Sequence, residues 1–133
     1  MSFAEAYSKM NLNEHEWLDR VCAEISALYL SPDLDKVAVL NALSMMKATM
    51  LLHYAEEESL MRKLFYPNAG VHKRSHDYFM TEVSAHIVKL AKDDATMSGQ
   101  VWIDFRHKLD IHVKTHDEVL AKYLEANPAG GRP

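Results

Sequence analysis

The sequence predicts an all-α fold: an up-down-up-down antiparallel four-helix bundle with a short N-terminal arm. Three observations lead there. Apolar residues recur at spacings of three and four in four separate stretches, the mark of helices with one buried face. The breaks between those stretches are short and carry Pro, Asn, Asp or Gly. No stretch alternates as a half-buried strand would, and the 133 residues hold only four Gly and four Pro.

Residues 1–10 have weak periodicity and read as an arm, with Phe3 and Tyr7 packing on the body. From about residue 12 a first stripe runs His15, Leu18, Val21, Cys22, Ile25, Leu28, Tyr29. Ser31-Pro32-Asp33 then breaks the chain, with Ser31 as N-cap and Pro32 at the first helical position. The second helix spans about 33–64, with stripe Leu40, Leu43, Met46, Met50, His53, Glu57, Leu60, Met61, Leu64. Tyr66-Pro67-Asn68-Ala69-Gly70 reads as a helix stop and turn. The third helix spans about 70–91 and aligns His72, His76, Phe79, Val83, Ile87 and Leu90. A polar break at 92–96 follows, where Thr96 or Ser98 caps the next helix. The fourth helix spans about 99–125, with Trp102, Phe105, Leu109, His112, Val113, His116, Leu120, Tyr123 and Leu124 on one face. Asn127-Pro128 ends it, and 126–133 form a flexible tail. The whole chain, 1–133, is one domain, with the bundle at about 11–125.

Hydrophobic residues make up 48% and charged residues 26%, as in a water-soluble globular chain. The net charge of −4 argues against nucleic acid or an anionic membrane as a partner. No apolar run approaches the ~20 residues of a membrane span. No basic-then-apolar leader opens the chain, and the single Cys22 excludes an internal disulfide framework, so a reducing, cytoplasmic setting is expected.

Eight His in a small acidic chain are the unusual feature. Each predicted helix turns at least one metal-type donor inward. His15 lies on the first, His53 and Glu57 on the second, His72 and His76 on the third, and His112 with Asp117 nearby on the fourth. Residues four apart sit one turn above each other, so the second and third helices each present a pair. Five imidazoles and a carboxylate buried without partners would be costly, and a metal removes that cost. The set exceeds the four ligands of a tetrahedral zinc site and suits two metals sharing carboxylates. Nitrogen-rich ligation without thiolate fits iron, with manganese, zinc and copper still open.

In this ordered set the chain resembles the hemerythrin family, bacteriohemerythrins in particular, from about His15 to Tyr123. It reads a lone His15, then His53-Tyr-Ala-Glu-Glu57, then His72-Lys-Arg-Ser-His76, then His112-Val-Lys-Thr-His-Asp117, with Tyr66-Pro67 ahead of the third helix. The resemblance implies a non-haem di-iron centre. His72, His76 and His112 would hold one iron. His15 and His53 would hold the other, with one position open. Glu57, Asp117 and an oxo or hydroxo group would bridge them. It further implies reversible binding of dioxygen or a similar small diatomic at the open iron, for storage, delivery or sensing. An enzyme acting on peroxide or nitric oxide, and iron storage or buffering, are the alternatives. A redox partner and a monomeric or weakly oligomeric state are compatible with it.

Two positions depart from this pattern. His112 and Asp117 are five apart, ~140° around an ideal helix, whereas His116 at four apart lies on the stripe. Periodicity selects His116 and the resemblance selects Asp117, which a local π-type widening would bring into register. The residue four before His112, usually Trp in the family, is Lys108. Its long stem allows it to snorkel outward. An ammonium reaching the pocket would instead hasten autoxidation of the oxygenated form. His107 is expected in solvent, His86 satisfied locally, Glu56 and Glu58 on a solvated face with a hydrogen bond to a ligand histidine as the alternative, and Cys22 in the core.

Overall fold

The computed structural model describes residues 3–92 and 99–127, apart from the Phe3 side chain. Packing by Phe3, the cap at Thr96 or Ser98 and the tail from residue 128 lie outside the described residues. The described chain is helical with no strand: α1 Phe3–Leu30, α2 Lys36–Lys63, α3 Ala69–Ala91, α4 Gly99–His112, then a π-helical turn Val113–Asp117 that runs into α5 Glu118–Ala126. The last three pieces follow one another without a break and serve as the fourth helix of the packed set. α1 packs on α2, α4 and α5, and α3 packs on α2 and α4.

Residues 3–10, expected as an arm, instead form the first turns of α1. Tyr7 is the reason: it is 1% exposed and packs with Met61, Leu64, Tyr66, Leu120 and Leu124. Tertiary burial outweighs the weak local periodicity. The N-cap of α2 is Asp35 rather than Ser31; its carboxylate accepts from the Ala38 N–H at 3.0 Å.

The end of α2 is closed in two steps. The Phe65 N–H donates to the Arg62 carbonyl at 3.3 Å and the Tyr66 N–H to the Met61 carbonyl at 3.0 Å. This is the Schellman pattern, and it requires a left-handed residue at Phe65, whose φ is 51°. Phe65 is 52% exposed, so its ring contributes little packing while its Cβ opposes that backbone. Phe65→Gly is therefore expected to stabilise the protein by about 1 kcal/mol, read as a higher urea midpoint. A lower midpoint would mean the ring packs more than its exposure indicates.

The interior divides in two. One cluster gathers Leu18, Val21, Ile25, Leu43, Met46, Met50, Phe79, Val83, Trp102 and Leu109; the other is the Tyr7 cluster. Trp102 is buried with its indole N–H donating to Ser26 at 2.9 Å. Cys22 is buried against Met46, and burial pushes its thiol up to about 11. Along α2 only Tyr54 continues the buried apolar run between Met50 and Met61, and along the fourth helix the run stops between Leu109 and Leu120. The buried polar residues fill those two gaps.

A candidate metal centre between two apolar clusters

His53 and Glu57 sit in the α2 gap, and His112 and Asp117 in the gap of the fourth helix. His72 and His76 face them from α3, and His15 from α1. Glu57, His72, His76, His112 and Asp117, all buried, bring one donor atom each to within 4.8 Å of one another. His15, His53 and Asp117 form a second such group, with Asp117 common to both. All seven residues singled out in the sequence are thus brought together, and they fall into two groups.

Asp117 reaches the site because of the π-turn. The Glu118 N–H bonds to the Val113 carbonyl, an i→i+5 step, so the helix widens between His112 and Asp117. Asp117 Oδ1 lies 3.0 Å from His72 Nε2 and 3.3 Å from His112 Nε2, while its Oδ2 lies 3.2 Å from His15 Nε2. His116, the periodic choice, is half-buried and only flanks the rings of His72 and His112, at 5.3 and 5.1 Å.

The histidines are held from outside. His53 Nδ1 pairs with Glu14, His76 Nδ1 with Glu58 at 3.0 Å, and His112 Nδ1 with Ser75 at 2.6 Å. Each contact fixes the ring, and the Glu14 and Glu58 carboxylates, which only accept, also place the proton on Nδ1 and leave the Nε2 lone pairs of His53 and His76 pointing inward. Those Nε2 atoms of His53, His76 and His112 are buried without a hydrogen bond, and so is Glu57 Oε1. His76 Nε2 sits 3.0 Å from Glu57 Oε1 yet makes no hydrogen bond with it. The other Glu57 oxygen accepts from the buried Tyr7 hydroxyl. His72 differs: its Nε2 hydrogen-bonds Asp117 and its Nδ1 is unpartnered. Tyr54 stacks on His76, with ring centroids 3.8 Å apart and 8° between planes.

The packing of Tyr7 on the body is as expected, but its contact with Glu57 and the parts of Glu14, Ser75 and Tyr54 were not foreseen, and Glu58 takes the hydrogen bond to a histidine rather than the solvated face. A signal was present. Glu14, Glu58 and Ser75 each neighbour a ligand-type residue in sequence, beside His15, Glu57 and His76. One residue along a helix is a ~100° turn, which aims the neighbour at the next helix rather than at the shared centre.

Electrostatics follow from this packing. Burial alone would raise the Glu57 carboxyl, but the His72 and His76 rings, whose Nε2 atoms lie 3.5 and 3.0 Å from its Oε1, outweigh it and bring it down to about 2. Burial would likewise raise Asp117, and contacts from His112, His15 and His72 hold it well below the usual carboxylate range. For His72 burial favours the neutral ring, but Asp117 and Glu57 push it up to about 9. Burial lowers His53. Two carboxylates kept ionised among imidazoles form a site prepared for cations.

Two other residues are placed by the structure. Lys108 is exposed and donates to the Tyr78 hydroxyl at 3.2 Å, outside both donor groups. His86 is buried against Phe105 with its Nδ1 unpartnered, which corrects the expectation that it is satisfied locally. Burial, ahead of the opposing Glu82 and the reinforcing Lys89 and Lys108 charges, lowers its pKa. A depressed histidine contributes stability that is present above the unfolded value of ~6.5 and is lost as pH falls through the folded value. His86→Leu is expected to stabilise by about 1 kcal/mol at pH 7 and by more at pH 5, read from urea midpoints at both. An equal change at the two pH values would show that His86 does not charge on unfolding.

No protein-family model, curated protein or solved structure matches this chain.

Proposed function

We propose that this chain is a hemerythrin-type di-iron protein that binds dioxygen reversibly. The observation that carries the reading is the set of inward imidazole nitrogens, those of His53, His76 and His112, buried with no hydrogen bond while a carboxylate or hydroxyl secures each ring's far side. Such a core is uncomfortable empty and comfortable with cations. Imidazole and carboxylate without thiolate suit iron, and donors in two groups with a shared carboxylate suit two ions.

In this reading His72, His76 and His112 would hold one iron and His15 and His53 the other, with Glu57 and Asp117 supplying the carboxylate ligands. The group around His15 and His53 has fewer protein donors, which supports an open position there. The iron pair supplies, when bound, a reversible two-electron exchange with dioxygen. The protein's part is to orient and exclude. Glu14, Glu58 and Ser75 fix the rings, and the Tyr7 hydroxyl anchors Glu57. The apolar clusters on either side keep water out. His15, the most exposed of the seven at 20%, lines a cavity of about 270 Å³, which makes its side the approach we assign to a small molecule. Lys108 points away, so it does not place positive charge beside the open position. Five-residue connections between the first three helices support the up-down-up-down arrangement that this family resemblance implies.

The test is iron stoichiometry with an air-and-vacuum cycle. Protein loaded with Fe(II) under argon should hold about two irons per chain, gain a charge-transfer band in air and lose it under vacuum. A band that decays irreversibly while added peroxide is consumed would replace the carrier by an enzyme. Iron taken up with no response to air would leave storage or buffering.

A further inference from the structure

The outer face of α2 differs from the outer faces of the other long helices. Its exposed residues between 37 and 55 are Val37, Asn41, Ser44, Met45, Ala48, Leu51, Leu52 and Ala55, and none carries a charge. On α1 the exposed residues include Glu5, Lys9, Glu16, Asp19, Arg20 and Glu24. On α3 they include Lys73, Arg74, Asp77 and Lys89, and on α4 Asp104, Lys108 and Asp110. α2 is packed on its other sides by α1 and α3, so this face looks away from the bundle. The large members are well exposed: Val37 66%, Met45 55%, Leu51 59% and Leu52 60%. Leu34, 47% exposed, extends the stripe ahead of the helix.

The spacing is as informative as the composition. Val37, Asn41, Ser44, Ala48, Leu51 and Ala55 step by four, three, four, three and four, the seam spacing of paired helices. The seam runs about 27 Å at 1.5 Å per residue. Small residues, Ser44 and Ala48, occupy its middle, which lets a second backbone come close.

We propose that this face is a self-association surface on which a second copy of the chain packs α2 against α2 about a two-fold axis near Ala48. Charge selects this occupant. A chain of net charge −4 repels its own copies, and the surface least subject to that repulsion is the one with no charge. Between residues 37 and 55 no Lys or Arg is exposed, Lys47 beside the stripe is half-buried, and Arg62 and Lys63 lie beyond its end, which argues against an anionic membrane, whose binding helices carry basic residues along the apolar stripe. A two-fold axis at Ala48 sets Met45 against the second copy's Leu51 and Ser44 against its Leu52, so large meets large and small meets large. It also sets Asn41 against Ala55, with no like charges opposed. The stripe supplies fewer than the roughly 20–30 residues a side of a standard interface, so the dimer is a weak, concentration-dependent one. His53 and Glu57 face inward from the same helix, so the pairing leaves the buried donors undisturbed.

The experiment is sedimentation velocity on the full chain from about 2 to 200 µM, beside the double variant Met45→Glu/Leu51→Glu. The expected result is a concentration-dependent rise to twice the chain mass for wild type, and monomer throughout for the variant with unchanged helical circular dichroism. Ala48→Cys provides a second measurement, needing no disruptive change. It should form a disulfide-linked dimer on mild oxidation, which Ile103→Cys on α4 and wild type with its buried Cys22 should not. Wild type monomeric at 200 µM, a dimer indifferent to the double variant, Ala48→Cys no faster to cross-link than Ile103→Cys, or co-sedimentation with phosphatidylcholine–phosphatidylserine vesicles in place of self-association would each overturn the proposal.

Discussion

Asp117→Ala is expected to abolish the paired-metal centre we propose, while His116→Ala leaves it intact. Asp117 is 1% exposed and belongs to both donor groups, one oxygen facing His72 and His112 and the other facing His15. Its removal takes a donor from each group and the charge that favours cations in the interior. Iron after loading and desalting should fall from about two per chain to one or fewer, with loss of any air-dependent band. Affinity for the remaining ion should fall too, since losing even a ligand's supporting contact costs about 10–100-fold. His116 flanks the rings and offers no donor to either group, so its truncation should change iron content by less than a tenth. The π-turn is the structural reason for this ordering. Were the fourth helix regular, Asp117 would face away and His116 would be the donor. The reverse pair of results would therefore reject both the ligand assignment and the turn that supports it.

Removing the metal proposed for this site is expected to cost most of the protein's reserve of stability. Without cations the inward nitrogens of His53, His76 and His112 and one Glu57 oxygen are left buried and unbonded. Each such group costs about 1–3 kcal/mol. Viewed from the loaded side, a ligand at a thousand times its dissociation constant stabilises by about 4 kcal/mol. Both routes predict a melting temperature lower by ~10 °C or more after exhaustive chelation, recovered on adding Fe(II) back. Loosening should concentrate where the donors interrupt the core, so amide exchange should accelerate in α2 around His53 to Glu57 and in the fourth helix around His112 to Asp117. A melting temperature unchanged within about 2 °C, with iron shown to be gone, would mean the buried histidines and carboxylates satisfy one another and would remove the main support for a metal centre.

What the sequence determined by itself is what one helix at a time can express. The three-and-four spacing from Leu18 to Leu28, from Leu40 to Leu64 and from Phe79 to Leu90 marked inward faces, because the helix repeat converts spacing into direction. The same repeat put His53 beside Glu57 and His72 beside His76, so six of the seven donors were legible from periodicity alone. Asp117 was not, since its place depends on a five-residue turn that leaves no mark in spacing and was reached only through resemblance. The tertiary structure decided everything that passes between helices. It extended α1 back to Phe3, because Tyr7 finds a pocket between α2 and α5 and a hydroxyl contact with Glu57, fifty residues away. It also gave Glu14 to His53, Glu58 to His76 and Ser75 to His112, each helix holding a ring of the next. No local pattern encodes that exchange, because a residue rotated ~100° from its own helix's inward face acquires a partner only once a second helix is packed beside it.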